Sequence, residues 1–180
     1  LKSAGAVIIG HTNMHEFAWG GTTDSPHFGA SHNPWDLERY CAGSSGGSGA
    51  AVAGGTALGA LGTDTGGSVR LPAAVNGIVG MRPTIGRVPN TGIIPCGWTM
   101  DTCGPMTRSV RDNAVMLGVL AGHDFKDPGC SEKCTCDYTA DLELGVKHLR
   151  IGMIPQLMHR VSQPDVDAGV EEAANVFRSL

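Results

Sequence analysis

The stretch Gly59–Gly77 reads GALGTDTGGSVRLPAAVNG. Two adjacent glycines, Gly66 and Gly67, stand directly before Ser68, with Thr63-Asp64-Thr65 ahead of them and Arg70 two residues beyond. Glycine admits backbone conformations that a side chain forbids. The N–H groups of Thr65, Gly66, Gly67 and Ser68 can then turn to one side and form a nest for an anion. With a hydroxyl at its end, such a nest suits the oxyanion of a carbonyl carbon attacked by that hydroxyl. Taken alone, Gly-Gly-Ser is more simply a glycine turn for close packing. A phosphate loop is the rival reading, but it needs a lysine before the Ser or Thr, and Gly67-Ser68 has none.

Upstream lies a second serine–glycine element, GSSGGSG, at Gly43–Gly49. Gly43-Ser44-Ser45-Gly46-Gly47 fits the G-x-S-x-G pattern of a nucleophile elbow, which would make Ser45 the nucleophile. An elbow follows an apolar strand, and the preceding NPWDLERYCA is not one. Twenty-seven of the 180 residues are glycine, roughly twice the usual share. The excess is concentrated between Gly43 and Gly67, so it marks a site or tight packing rather than disorder.

The remaining composition is that of an ordinary globular chain: 41% hydrophobic, 17% charged, net charge −4. Lysines and arginines are scattered, which argues against direct nucleic-acid contact. No apolar run reaches the ~18 residues of a membrane span, and no signal peptide opens the chain. Six cysteines (Cys41, Cys96, Cys103, Cys130, Cys134, Cys136) read as thiols of a reducing compartment. A cytoplasmic location is the default. Neither Cys130-x3-Cys134-x-Cys136 nor His11-x3-His15-Glu16 has the spacing of a zinc site. No metal and no cofactor is expected.

Periodicity places the elements. AGAVIIG (Ala4–Gly10) reads as a buried strand, and His11–Ala42 as a long ordered loop with short helical pieces. Gly46–Gly55 reads as a helix packed so closely that only small residues fit, followed by a strand ending near Asp64. Asn76–Pro83 reads as a short buried strand. Ser109-Val110-Arg111-Asp112 is close to a capping box and opens an amphipathic helix ending at Gly122. Residues 123–148 form a loop, His148–Pro155 a strand, and Asp165–Leu180 a second helix. Trp19, Trp35 and Trp98 read as buried anchors. Strands alternating with helices give an α/β class: a layered mixed β-sheet flanked by helices.

The segment GSSGGSGAAVAGGTALGALGTDTGGSVRLPAAVNGIVGMRPTIGRVP resembles the amidase signature family. The flanks GHTNMHEFAWG, DTCGPMTRSVRDNAVML and LAGHD are similar too, so the resemblance covers about residues 1 to 155. It implies the amidase signature fold and a Ser-cisSer-Lys mechanism through an acyl-enzyme. By motif, Ser68 matches the nucleophile and Ser44 the serine at a cis peptide, after Gly43. The amides of Thr65, Gly66, Gly67 and Ser68 match the oxyanion hole. Asp64 and Arg70 bracket the nucleophile as a loop-pinning salt bridge, and Ser45 supports the loop. Met14 and Trp98 match stretches near the substrate. Ala42 stands where the family usually has a further glycine. The family's lysine lies upstream of the segment matching Leu1, and Lys2, Lys126, Lys133 and Lys147 match none of it. Residues 1–180 are therefore expected to be an internal fragment of one amidase domain, inert in isolation.

The resemblance implies a small-molecule amide as partner and leaves a homo-oligomer open. It also extends to the glutaminase component of the tRNA-dependent amidotransferases. MHEFAWGGTTDSPHFG reads closer to the stand-alone amidases. A non-catalytic amide-binding scaffold built on the same nest is the third expectation.

Overall fold

A computed structural model describes residues 1–154, 156 and 162–180. The chain divides into two compact units, Leu1–Thr139 and Ala140–Leu180.

The first unit is built around a three-stranded antiparallel sheet. Its strands are β5 (Gly59–Asp64), β6 (Val79–Gly80) and β7 (Thr102–Thr107), in the order β5-β7-β6. Gly59 pairs with Thr107 and Asp64 with Thr102, so the end of β5 that leads into Gly66-Gly67-Ser68 lies beside the start of β7. Every residue of β7 is buried. Strand side chains alternate between faces, and β7 serves two apolar clusters accordingly. Met106 joins Val69 and Ala73 in one; Cys103 joins Val88 and Leu117 in the other. Met81 N–H donates to the Pro105 carbonyl at 3.1 Å.

Three helices pack on this sheet: α1 (Gly46–Ala53), α2 (Arg70–Asn76) and α3 (Val110–Leu120). The small residues of α1 serve close approach, as expected: a Cβ on Gly49 would lie 3.1 Å from Pro72 Cβ in α2. Ser109 caps α3, its Oγ accepting Asp112 N–H at 3.1 Å and donating to Asp112 Oδ2 at 2.7 Å. Two small ladders precede the sheet, β1 (Asp24–Ser25) with β2 (Gly29–Ala30) and β3 (His32–Asn33) with β4 (Asp36–Tyr40). All ladders among the described residues are antiparallel.

The second unit contains α4 (Pro164–Ser179). Pro164 opens it, and Asp165 and Asp167 in its first turn complement the positive end of the helix dipole.

Several expectations are corrected. Ala4–Gly10 is not a buried strand: Val7, Ile8 and Ile9 are 84, 50 and 72% exposed, because no described strand pairs with them. Residues 148–154 form no strand either, and Pro155 lies outside the described residues. Asn76 belongs to α2, and the strand after it shortens to Val79–Gly80. The loop 11–42 carries a 3-10 helix (Glu16–Ala18) as expected, plus β1–β4, which were not. Trp19, Trp35 and Trp98 are 78, 72 and 85% exposed rather than buried, since they lie outside both apolar clusters.

Candidate active site

Two loops meet at the ends of β5 and α1. Ser45 N–H donates to the Ser68 carbonyl at 3.2 Å and joins the paired-serine loop to the glycine loop. Ser45 Oγ also accepts Thr63 N–H at 3.2 Å, fastening the first loop to β5. Ser48 Oγ donates to the Leu61 carbonyl at 2.8 Å and does the same one turn further along α1.

The Gly43–Ser44 peptide bond is cis. The segment 13–23 wraps around it. His15 N–H donates to the Ser44 carbonyl at 2.9 Å, and Gly47 N–H donates to the Asn13 carbonyl at 3.1 Å. Thr23 is fully buried; its Oγ1 donates to the Ala42 carbonyl at 2.8 Å and accepts Gly46 N–H at 3.1 Å. Gly43 must be glycine, because a Cβ would sit 2.9 Å from the backbone of Gly21 and Thr22. Ala42 and Thr23 hold left-handed conformations at φ 56° and 55°. Met14 is exposed beside this wrap.

Ser44 is fully buried, and its Oγ has no hydrogen-bond partner among the described residues. A buried hydroxyl without a partner is uncommon. Ser68, at the end of the other loop, is half-buried.

Asp64 organises the glycine loop from beneath. It is fully buried. Its Oδ1 accepts Gly67 N–H at 2.8 Å, and its Oδ2 accepts Val69 N–H at 3.1 Å and Arg70 N–H at 3.3 Å. The Arg70 guanidinium closes a two-point pair with it at 3.0 and 3.0 Å. Burial alone would raise this carboxyl; the Arg70 hydrogen bond, the Val69 and Arg70 amides and the Arg70 charge outweigh it and bring it down to about 2. The Gly67 amide, which the resemblance assigns to the oxyanion, is thus committed to Asp64. The amides of Thr65, Gly66 and Ser68 have no acceptor among the described residues. Space beside Gly66 is open, whereas Gly67 needs its φ of +142°.

Sequence reasoning missed Thr23, Arg82 and Asp101. Arg82 Nη1 bonds the Asp64 carbonyl and, at 3.1 Å, Asp64 Oδ1; its Nη2 donates to the Met100 carbonyl at 2.6 Å. Arg82 and Asp101 stood inside the GMRP and DTCGPMT stretches, but a motif names residues without showing what they touch. All six cysteines are free, and no group of three His, Cys, Asp or Glu that could hold a metal occurs among the described residues.

This α/β arrangement, two serine–glycine loops converging at the head of a sheet, defines an amidase-type scaffold. The Amidase family model matches residues 1–180, and the chain belongs to that family. It is 49% identical over 178 residues to the glutamyl-tRNA(Gln) amidotransferase A subunit of Roseiflexus castenholzii, covering 99% of this chain and 36% of that protein. The corresponding protein of Myxococcus xanthus is 47% identical over 180 residues, covering 100% and 37%. Among solved structures, the glutamyl-tRNA(Gln) amidotransferase A subunit of Thermotoga maritima superposes with a TM-score of 0.95 at 38% identity, covering 99% of this chain and 39% of that one. The native peptide amidase of Stenotrophomonas maltophilia gives 0.84 at 39% identity, covering 99% and 38%. The chain thus spans well under half the length of these relatives.

Proposed function

We propose that the polypeptide containing this chain hydrolyses a carboxylic amide, with Ser68 as nucleophile and Ser44 as proton relay. Ser68 Oγ attacks the carbonyl carbon, and its proton passes to Ser44 Oγ. The Ser44 proton moves to a neutral lysine. The tetrahedral oxyanion accepts hydrogen bonds from the Thr65, Gly66 and Ser68 amides. The C–N bond breaks, ammonia or an amine leaves with a proton, and the acyl group stays on Ser68. Water then attacks this ester and releases the acid.

The observation that carries the reading is the buried, unpartnered Ser44 hydroxyl on a loop bonded to the Ser68 carbonyl. A relay hydroxyl needs a partner on each side, and a lysine acts as a base only when desolvated. Lys2, Lys126, Lys133 and Lys147 do not match the family's lysine position and are exposed in residues 1–180. The base is accordingly placed on a lysine outside residues 1–180, these residues are taken as one part of a single amidase domain, and no amide turnover is expected from them in isolation.

Fluorophosphonate labelling of the full-length protein, followed by peptide mapping, tests this. An adduct on Ser68 is expected. An adduct on Ser45 overturns the assignment, and no adduct on a folded protein favours an amide-binding scaffold.

A second reading rests on the 46–49% identity to the glutamyl-tRNA(Gln) amidotransferase relatives. In it, the amide is glutamine and the ammonia is passed on within a complex. Glutamine hydrolysis that appears only with partner proteins would select it over a stand-alone amidase.

A further inference from the structure

We propose that Asp101 is a positioning residue for this hydrolysis, clamping Thr65 at the head of the oxyanion turn to the loop that carries Trp98. The proposal rests on the amide-hydrolase reading above.

Asp101 is 6% exposed, and both of its carboxylate oxygens are engaged. Oδ1 accepts Thr65 Oγ1 at 2.5 Å and Gly97 N–H at 3.0 Å. Oδ2 accepts Cys96 N–H at 2.8 Å and Gly97 N–H at 3.0 Å. No Lys, Arg or His pairs with this carboxylate among the described residues. A buried carboxylate without a cation is expensive. What it offers here is acceptor capacity: two oxygens can serve two separate segments at once. One segment is the turn Cys96–Asp101, closed also by Met100 N–H and Asp101 N–H on the Gly97 carbonyl at 2.8 and 2.9 Å. The other is Thr65, the first residue after β5.

Two further contacts run the same way. A Cβ on Gly97 would lie 3.2 Å from Thr65 Cγ2, so the turn rests directly on the threonine methyl. Arg82 ties the Met100 carbonyl to Asp64, the carboxylate beneath the glycine loop. Residues 96–101 are therefore joined to the start of the oxyanion turn, at Thr65 directly and at Asp64 through Arg82, while Trp98 at their tip faces solvent. An oxyanion donor displaced by about 1 Å loses much of its effect. Fixing the Thr65 side chain fixes the peptide that presents the Thr65 and Gly66 amides, and it fixes the Trp98 loop relative to them.

The test uses Thr65→Val, Thr65→Ser, Asp101→Asn and the Thr65→Val/Asp101→Asn pair in the full-length protein. Thr65→Val keeps the shape and removes only the hydroxyl. It is expected to lower kcat by about 10- to 100-fold with KM within about twofold, and to slow fluorophosphonate labelling of Ser68 in parallel. Thr65→Ser restores the hydroxyl and is expected to recover most of the kcat lost by Thr65→Val. The double variant is expected to be no slower than the slower single variant, as for groups acting through one contact. If Asp101→Asn does not fold, the Val–Ser comparison at Thr65 decides. A wild type that turns over amide, with Thr65→Val retaining its kcat, overturns the clamp and leaves the hydrolase reading intact. A folded wild type that neither turns over amide nor labels at Ser68 overturns the hydrolase reading, and the clamp's catalytic role with it.

Discussion

Ser45 N–H donates to the Ser68 carbonyl at 3.2 Å. This bond joins two loops that are 23 residues apart in the chain but neighbours in space, and it uses only main-chain atoms of Ser68. The Ser68 hydroxyl is not needed to hold the loops together. Structure and chemistry can therefore be separated by mutation at this site.

Ser44→Ala removes a hydroxyl that is buried and unpartnered. In the full-length protein the proposed lysine partners this hydroxyl, so its removal is expected to cost no more than about 1 kcal/mol of stability, while kcat falls by about 100-fold or more. Thermal denaturation and steady-state kinetics on the same preparation check both halves. A fall in stability with kcat preserved would remove Ser44 from the relay.

Asp64→Asn is expected to destabilise the protein by about 3 kcal/mol, because it leaves two guanidinium groups without their shared carboxylate. Arg70 is half-exposed, which limits the loss on its side. The pH dependence has a definite sign. The Asp64 carboxyl is held at about 2 in the folded state, below an unfolded value of about 3.9. Its stabilisation is complete above the unfolded value and fades as pH falls towards about 2. Urea unfolding of wild type and Asp64→Asn should differ most near neutral pH and converge near pH 2.

Ala42 holds φ 56° while buried beside the cis peptide. A methyl in the left-handed region costs about 1–2 kcal/mol, partly offset because glycine loses more entropy on folding. Ala42→Gly is expected to stabilise by about 0.5–1 kcal/mol. Gly47→Ala is expected to do the reverse by about 1–3 kcal/mol, because its Cβ would fall on the Asn13 carbonyl and lie 2.7 Å from Asn13 N. Denaturant midpoints of the two variants should move in opposite directions.

Burial pushes the Cys103 thiol up to about 11. The thiolate is the reactive form, so little of it exists at pH 8. Cys134 and Cys136 are exposed. Timed alkylation with iodoacetamide and peptide mapping should label Cys134 and Cys136 first and Cys103 only on unfolding. Early labelling of Cys103 would contradict its buried place in β7.

The sequence alone settled the local features of this protein. Glycine and serine spacing located both loops, because backbone conformation there depends on the absence of a Cβ at particular positions. Helical periodicity and the Ser109 cap located α3, and the same periodicity located α4, because amphipathic spacing and capping act within a few residues. The Asp64–Arg70 pair could also be read, since its partners are six positions apart. The tertiary structure decided what depends on distant segments. Central β7 escaped notice because TCGPMT contains a glycine and a proline, and only pairing with β5 and β6 makes it a strand. Ala4–Gly10 failed as a strand for the converse reason: an apolar run becomes one only where another strand meets it. Thr23, Arg82 and Asp101 gained their roles by reaching across 18 to 36 positions to Ala42, Asp64 and Thr65. A hydrogen bond between such separated groups is fixed by the fold, and no local pattern in the chain encodes it.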